Sequence, residues 1–144
     1  MKISGDFSTG SSPESVYGFA MNLHRISSII PDLVDYQIED DTRMKVRSKA
    51  GVSFVRGTFV VILEILDHVE NREVKIHGKG SGAGASIDFT ATYRLEPEGK
   101  GTRVSWELDL IVAGVAATLG SRMINDAVNK YVKQLVDAFR NELQ

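Results

Sequence analysis

The chain has 144 residues, 42% of them hydrophobic and 25% charged, with a formal net charge of −2. This length buries enough surface for one domain over residues 1–144 without a disulfide or metal, and the absence of a dense basic cluster excludes nucleic acid as an expected partner. The chain contains no cysteine and no secretion signal, which predicts a cytoplasmic protein, and its longest apolar run, FVVIL, is too short for stable membrane insertion.

The N-terminal segment predicts one strand and two short helices. Residues 2–9 alternate weakly between apolar and polar, as in a strand. Ser11-Ser12-Pro13-Glu14 is typical of a helix start, because serine caps free N–H groups and proline suits the first turn. A second helical piece over 24–30 should end before Pro31, since proline disfavours helix in the residue before it.

From Val34 to Val112 the apolar residues recur with period two, which predicts six strands. The clearest pair, Ile87–Leu95 and Val104–Val112, keeps apolar side chains on one parity and polar side chains on the other. A sheet with one apolar face and one solvent-exposed face favours antiparallel hairpins. A third long strand is predicted over Val55–Ile65.

After Gly114 the apolar residues recur at three- and four-residue steps, from Leu119 to Leu143. This spacing predicts an amphipathic helix of about 25 residues. The predicted order is therefore one strand, two short helices, six strands and a long helix. It defines an α+β protein whose antiparallel sheet packs on its last helix.

Several motifs resemble one family in their order and spacing. They are Met1-Lys2-Ile3-Ser4-Gly5, Ser12-Pro13-Glu14-Ser15-Val16-Tyr17, Ile30-Pro31, Arg56-Gly57-Thr58-Phe59 and Leu119-Gly120-Ser121-Arg122-Met123-Ile124. The chain resembles the helix-grip fold of the START and birch-pollen-allergen (SRPBCC) superfamily, and within it the CoxG family, which is named after a subunit of carbon monoxide dehydrogenase. The resemblance implies a curved seven-stranded sheet around a long C-terminal helix, enclosing a hydrophobic cavity.

Two departures from that family matter. Asp32 stands where the family usually has glycine, which affects only a turn. The family often has a further C-terminal tail that reaches the membrane, whereas this sequence ends at Gln144, directly after the predicted helix. We therefore expect no anchoring by that route.

Gly78–Gly84 has four glycines in seven residues, which suggests a phosphate-binding loop. It lacks the Gly-Lys-Ser/Thr ending and precedes a strand, whereas phosphate loops open a helix. A flexible hairpin loop is the favoured interpretation, and such a loop can gate the mouth of a cavity.

Polar residues give little support to catalysis or metal binding. His24, His68 and His77 have no His or Cys neighbour at metal-ligand spacing, and no serine lies in a Gly-x-Ser-x-Gly elbow. The acidic residues fall in predicted turns rather than on the apolar faces. We expect no catalytic residue, no metal and no cofactor.

The informative pattern is apolar, and its side chains face one another across the predicted sheet and helix. Periodicity alone favours a solid core, whereas the fold resemblance favours a cavity with tyrosine and tryptophan fixing a ligand. On the predicted long helix, Val128 and Leu135 lie on the face that is directed at the sheet. The predicted cavity lining is Phe59, Val61, Ile76, Phe89, Ala91, Tyr93, Trp106, Leu108, Leu110, Met123, Ala127 and Tyr131.

Three functions follow from these expectations. The first is a non-catalytic accessory protein that binds a hydrophobic small molecule, such as a lipid or a quinone. The second is an interaction or maturation subunit of a molybdenum hydroxylase-type redox enzyme, with a collapsed cavity. The third and least favoured is a cyclase or hydrolase of the same fold, since no ionisable side chain faces inward.

Overall fold

The computed structural model describes residues 1–49, 57–114 and 120–143. Its elements, in chain order, are β1 (Lys2–Thr9), α1 (Pro13–Ala20), α2 (Leu23–Ser27), β2 (Leu33–Asp40), β3 (Arg43–Ser48), β4 (Phe59–Val69), β5 (Glu73–Gly82), β6 (Ala85–Glu98), β7 (Gly101–Gly114) and α3 (Ser121–Glu142). The predicted helix-grip order is confirmed. The predicted strand start at Val55 lies outside the described residues.

The seven strands form one antiparallel sheet in the order β1-β7-β6-β5-β4-β3-β2. The chain runs from one edge of the sheet to the other between β1 and β2, and α1 and α2 lie in that crossover. Every later pair of consecutive strands is a neighbouring pair. On β6 and β7 the alternate residues that were predicted to be apolar face the core. Among them, Phe89 and Trp106 are half-buried and pack against the core.

The start of α1 follows from its capping residue. The Ser12 side chain accepts a hydrogen bond from the Ser15 N–H, and Pro13 is the first helical residue. In α2, the Asn22 side chain accepts from the Arg25 N–H in the same way. These caps fix where the two short helices begin, as the sequence predicted for α1.

The main core is centred on Phe139 of α3. Its ring stacks on Tyr93 of β6, with centroids 5.6 Å apart, and meets Phe7 of β1 and Phe19 of α1 edge-on at 6.0 and 5.1 Å. The Ser11 hydroxyl donates a hydrogen bond to the Leu143 carbonyl at the end of α3. The C-terminal part of α3 is thereby fixed to the first strand, the first helix and the centre of the sheet.

The glycine-rich segment was predicted as a flexible hairpin loop over Gly78–Gly84. The hairpin is present, but a loop of that length is wrong. β5 continues through Gly82, pairs with β6 as far as Ala85, and leaves only Ala83 and Gly84 for the turn. A Cβ at Gly80 would come 2.8 Å from the Cα of Val61, and one at Gly82 would collide with the neighbouring strand. Close approach of strands, and not a turn, requires these glycines. Residues 78–82 therefore belong to the sheet and not to a loop of the kind predicted to gate a cavity mouth.

Candidate ligand cavity

A cavity of about 80 Å³ lies between the concave face of the sheet and α3. Its walls come from β1, β6, β7 and the C-terminal part of α3. The lining residues are Phe7, Ala91, Tyr93, Trp106, Glu107, Leu108, Val132, Leu135, Val136 and Phe139.

The register between β6 and β7 determines which side chains of the sheet line this cavity. Ala91 pairs with Leu108 and Tyr93 pairs with Trp106, so four side chains from two adjacent strands project from one patch of the concave face. The methyl group of Ala91 is the smallest of the four and leaves space above the sheet. The helix completes the wall because Val132, Leu135, Val136 and Phe139 recur at three- and four-residue steps along one side of α3.

The wall carries few polar groups. The Glu107 carboxylate lies 3.5 Å from the Arg94 guanidinium on the outer face of the sheet, so its charge is held outside the cavity. The other polar groups are the Tyr93 hydroxyl and the Trp106 indole N–H. Burial raises the pKa of Tyr93 to about 12, which keeps the phenol neutral and able to donate at physiological pH.

Of the predicted lining residues, Ala91, Tyr93, Trp106 and Leu108 meet at this cavity. Ile76 and Leu110 are buried and Val61 and Phe89 half-buried, whereas Phe59 packs with Ala85 and Val112 in a second small cluster. On α3, Ala127 and Tyr131 are half-buried and Met123 is 43% exposed. A wider cavity that includes these eight residues stays a prediction.

The prediction omitted several residues of the wall, chiefly Phe7, Val132, Val136 and Phe139. The helical spacing that selected Tyr131 continues through Leu135 to Phe139, and Phe7 lies on the apolar parity of the first strand. Both signals were present in the sequence. What it lacked was the pairing of β1 with β7, which brings Phe7 to the cavity.

Tyr131 of α3 is a second tyrosine with a raised pKa, and it lies near Asp32 in the loop before β2. Burial raises the pKa of Tyr131 to about 12, and the nearby Asp32 carboxylate adds to that increase. Asp32 has a positive φ of 54°, in the turn where glycine would be usual. A second neutral phenol therefore lies on α3 beyond the described cavity wall.

The histidines take part in hydrogen bonds away from the cavity. His24 bonds the Tyr36 hydroxyl at 3.1 Å, His68 bonds that of Tyr17 at 2.9 Å, and His77 lies 2.8 Å from the Asp88 carboxylate. Within the described ranges no three His, Cys, Asp or Glu side chains are grouped as metal ligands. Nor does any helix there have the length and hydropathy needed to cross a membrane.

A seven-stranded antiparallel sheet packed on one long helix, with two short helices after the first strand, defines the START-like class of proteins. Solved structures share this fold at low identity. A conserved protein of Geobacillus kaustophilus is 18% identical with a TM-score of 0.90, over 99% of this chain and 95% of that one. A START superfamily protein of Mycobacterium smegmatis is 13% identical with a TM-score of 0.74, over 99% and 96%.

The model of the CoxG family, a family of carbon monoxide dehydrogenase subunits, matches residues 5–144, and the chain belongs to this family. The predicted family is thereby confirmed. No curated protein gives a significant sequence match. Family and fold together support a scaffold of the ligand-binding type.

Proposed function

We propose that this protein is a non-catalytic accessory protein that binds a hydrophobic small molecule, such as a lipid or a quinone, in the cavity beneath α3. The observation that carries the proposal is the composition of the wall. Seven of its ten lining residues are fully apolar, and Glu107 directs its charge to the outer face. Such a site gains affinity from burial, and a ligand that buries about 400 Å² gains on the order of 10 kcal/mol before association costs.

The volume of the cavity sets a condition on this function. Ligand sites usually enclose about 300–1,000 Å³, whereas this cavity holds about 80 Å³. A lipid or quinone must therefore extend the cavity along the sheet, beneath the N-terminal part of α3. The half-buried side chains of Phe89, Ala127 and Tyr131 are the proposed continuation of the wall.

The family supplies the proposed partner. A family named after a carbon monoxide dehydrogenase subunit implies association with a redox enzyme complex, and the lipophile would be held for that enzyme or its maturation. We place this function in the cytoplasm.

The small volume also favours a second candidate, an interaction or maturation subunit of a molybdenum hydroxylase-type enzyme with a collapsed cavity. A cyclase or hydrolase is less well supported, because the described wall offers no inward carboxylate or imidazole.

Alanine-to-leucine substitutions distinguish a cavity that binds a ligand from a cavity that has collapsed. Ala91 lies on the cavity wall, whereas Ala20 is fully buried in the packed core. Overpacking at Ala20→Leu should cost about 1–3 kcal/mol of unfolding free energy, whereas Ala91→Leu should be nearly neutral because it fills free space. Ala91→Leu should also weaken binding of a fluorescent fatty-acyl probe. Urea unfolding and probe titration of both variants measure this.

Ala127→Leu tests the proposed extension of the cavity. If the space continues beneath this residue, Ala127→Leu leaves stability nearly unchanged and lowers affinity for long probes more than for short ones. Native mass spectrometry of the purified protein would show a bound lipophile directly. If the parent binds no probe and Ala91→Leu costs as much stability as Ala20→Leu, the cavity is collapsed and the protein acts as the interaction subunit instead.

A further inference from the structure

The Tyr93 hydroxyl is a polar group of the cavity wall without a partner in the described part of the protein. The hydroxyls of Tyr17 and Tyr36 each bond a histidine at the surface, but no described residue hydrogen-bonds that of Tyr93. Over the described ranges, every fully enclosed polar side-chain atom has a hydrogen-bond partner. Since no described residue bonds the Tyr93 hydroxyl, the described residues leave space beside it. The cavity that its side chain lines supplies that space.

The position of Tyr93 restricts what can meet this hydroxyl. Its ring is held by stacking on Phe139, at a centroid distance of 5.6 Å and an interplanar angle of 24°. Trp106, directly opposite across the β6–β7 pair, carries an indole N–H that can only donate. The described wall thus offers two donors, one of which can also accept, and no Lys or Arg lines it.

These groups discriminate between classes of apolar ligand. A carboxylate would enter without a countercharge, which is costly in an apolar site. An alcohol must both donate and accept to be satisfied, and the acceptor that this wall offers it is the oxygen of the phenol itself. A neutral carbonyl needs only a donor. A plain hydrocarbon would leave the phenol unpaired.

We propose that Tyr93 donates a hydrogen bond to a carbonyl oxygen of the bound lipophile, so that the cavity selects neutral carbonyl compounds over hydrocarbons and carboxylates. This inference rests on the proposed ligand-binding function. It adds the polar group of the ligand and the side chain that recognises it. The carbonyl can belong to an acyl ester or to a quinone ring, and both present the same acceptor.

The test compares matched probes on the wild type and on Tyr93→Phe. Trp106 is the single tryptophan of the chain and lines the cavity, so its fluorescence reports occupancy. The probes are 2-undecanone and undecane, which have equal chain lengths. Tyr93→Phe should weaken ketone binding about three- to tenfold, the loss typical of one neutral hydrogen bond, and leave alkane binding unchanged. Comparing variants cancels the different hydration of the two probes.

Controls separate recognition from structure. Tyr17→Phe also removes a phenol hydroxyl, but one that bonds His68 away from the cavity, and it should keep the wild-type affinity for both probes. Without ligand, Tyr93→Phe should unfold at the wild-type temperature or higher, because none of the described residues bonds the hydroxyl. Methyl decanoate and an alkyl-substituted benzoquinone then distinguish acyl from ring carbonyls by which one loses more affinity.

The possible outcomes distinguish a failure of the proposed role of Tyr93 from a failure of the proposed ligand-binding function. If Tyr93→Phe changes the affinity for ketone and alkane equally, or changes neither, the hydroxyl does not recognise a carbonyl and the inference is wrong. A lower unfolding temperature of ligand-free Tyr93→Phe would likewise overturn it, by revealing a structural partner. If no probe binds the wild type, the proposed ligand-binding function itself fails.

Discussion

At the scale of single residues, two glycines on the concave face lie beneath aromatic rings of the neighbouring strand. Gly78 pairs with Phe89 and Gly5 pairs with Trp106. A Cβ at Gly78 would overlap the Phe89 ring, and one at Gly5 would come 2.6 Å from the Trp106 ring. Both rings therefore lie flat along the sheet because the opposite residue has no side chain. Space above the sheet is left open as a consequence.

Gly78→Ala should lower the free energy of unfolding by about 1–3 kcal/mol, because the added methyl displaces the Phe89 ring. The matched control is Gly18→Ala in α1, where a Cβ meets nothing within 4 Å. That control should gain about 0.5–1 kcal/mol, since alanine favours helix over glycine. Urea denaturation measures both. Equal effects of the two substitutions would contradict the packing of Phe89 on Gly78.

The two tyrosines with a raised pKa, Tyr93 and Tyr131, predict a loss of stability in alkaline solution. The pKa of Tyr93 is raised from 10.0 to about 12 in the folded protein. Below pH 10 both states keep the proton and the full stability is present. Between pH 10 and 12 only the unfolded state releases it, so stability falls, for Tyr93 by about 1.4 kcal/mol at pH 11. Tyr131 adds a loss of the same sign.

Urea unfolding at pH 9 and pH 11 checks this prediction on the wild type and on Tyr93→Phe. The variant should lose less stability between the two pH values, since one of the two phenols is gone. Every other ionisable group is common to both proteins, so its contribution cancels in the comparison. An identical loss in both proteins would show that Tyr93 titrates like a solvated phenol.

At the scale of elements, α3 is amphipathic along its whole length but only its C-terminal part contacts the main core. Phe139 and Leu143 are buried there, with relative exposures of 4% and 6%. Nearer the N-terminus, Ala127 and Tyr131 are half-buried and Met123 is 43% exposed. The apolar stripe of α3 thus continues past the point where the core ends. The N-cap residue of α3, Gly120, provides no side-chain capping hydrogen bond.

Amide hydrogen exchange should divide α3 into these two parts. Residues 122–130 should exchange faster than residues 132–143, because fewer buried contacts hold them in place. A bound fatty-acyl probe should slow exchange in the first part and leave the β6–β7 hairpin unchanged. Mass spectrometry of proteolytic fragments resolves the two parts. Uniform protection of α3 with and without probe would contradict both its division and the proposed route of the ligand.

At the scale of the whole molecule, the cavity joins residues that are distant in the chain. Phe7 reaches it because β1 pairs with β7, so that Phe7 lies opposite Val104. Phe139 arrives from the other end of the sequence and contacts Phe7, Phe19 and Tyr93 at once. The cavity therefore forms only after the two ends of the chain meet the centre of the sheet.

The sequence by itself determined the elements and their faces. Period-two alternation predicted the strands and directed Trp106 and Phe89 inward, and three- and four-residue spacing predicted α3. These signals are local, because the chemistry of neighbouring residues decides which side of a strand or helix is buried. The order of the elements and the motifs along them also indicated the family, which the family model confirms.

The tertiary structure alone decided how closely these faces approach. It shows that Gly78, Gly80 and Gly82 lie in a strand, where neighbouring side chains and backbone leave no room for a Cβ. It also brings Ala91, Tyr93, Trp106 and Leu108 together with Phe7 and Phe139 around about 80 Å³. Periodicity tells which way a side chain faces. The free volume in front of it depends on strand pairing and on packing between residues far apart in the chain, and neither leaves a periodic signal in the sequence.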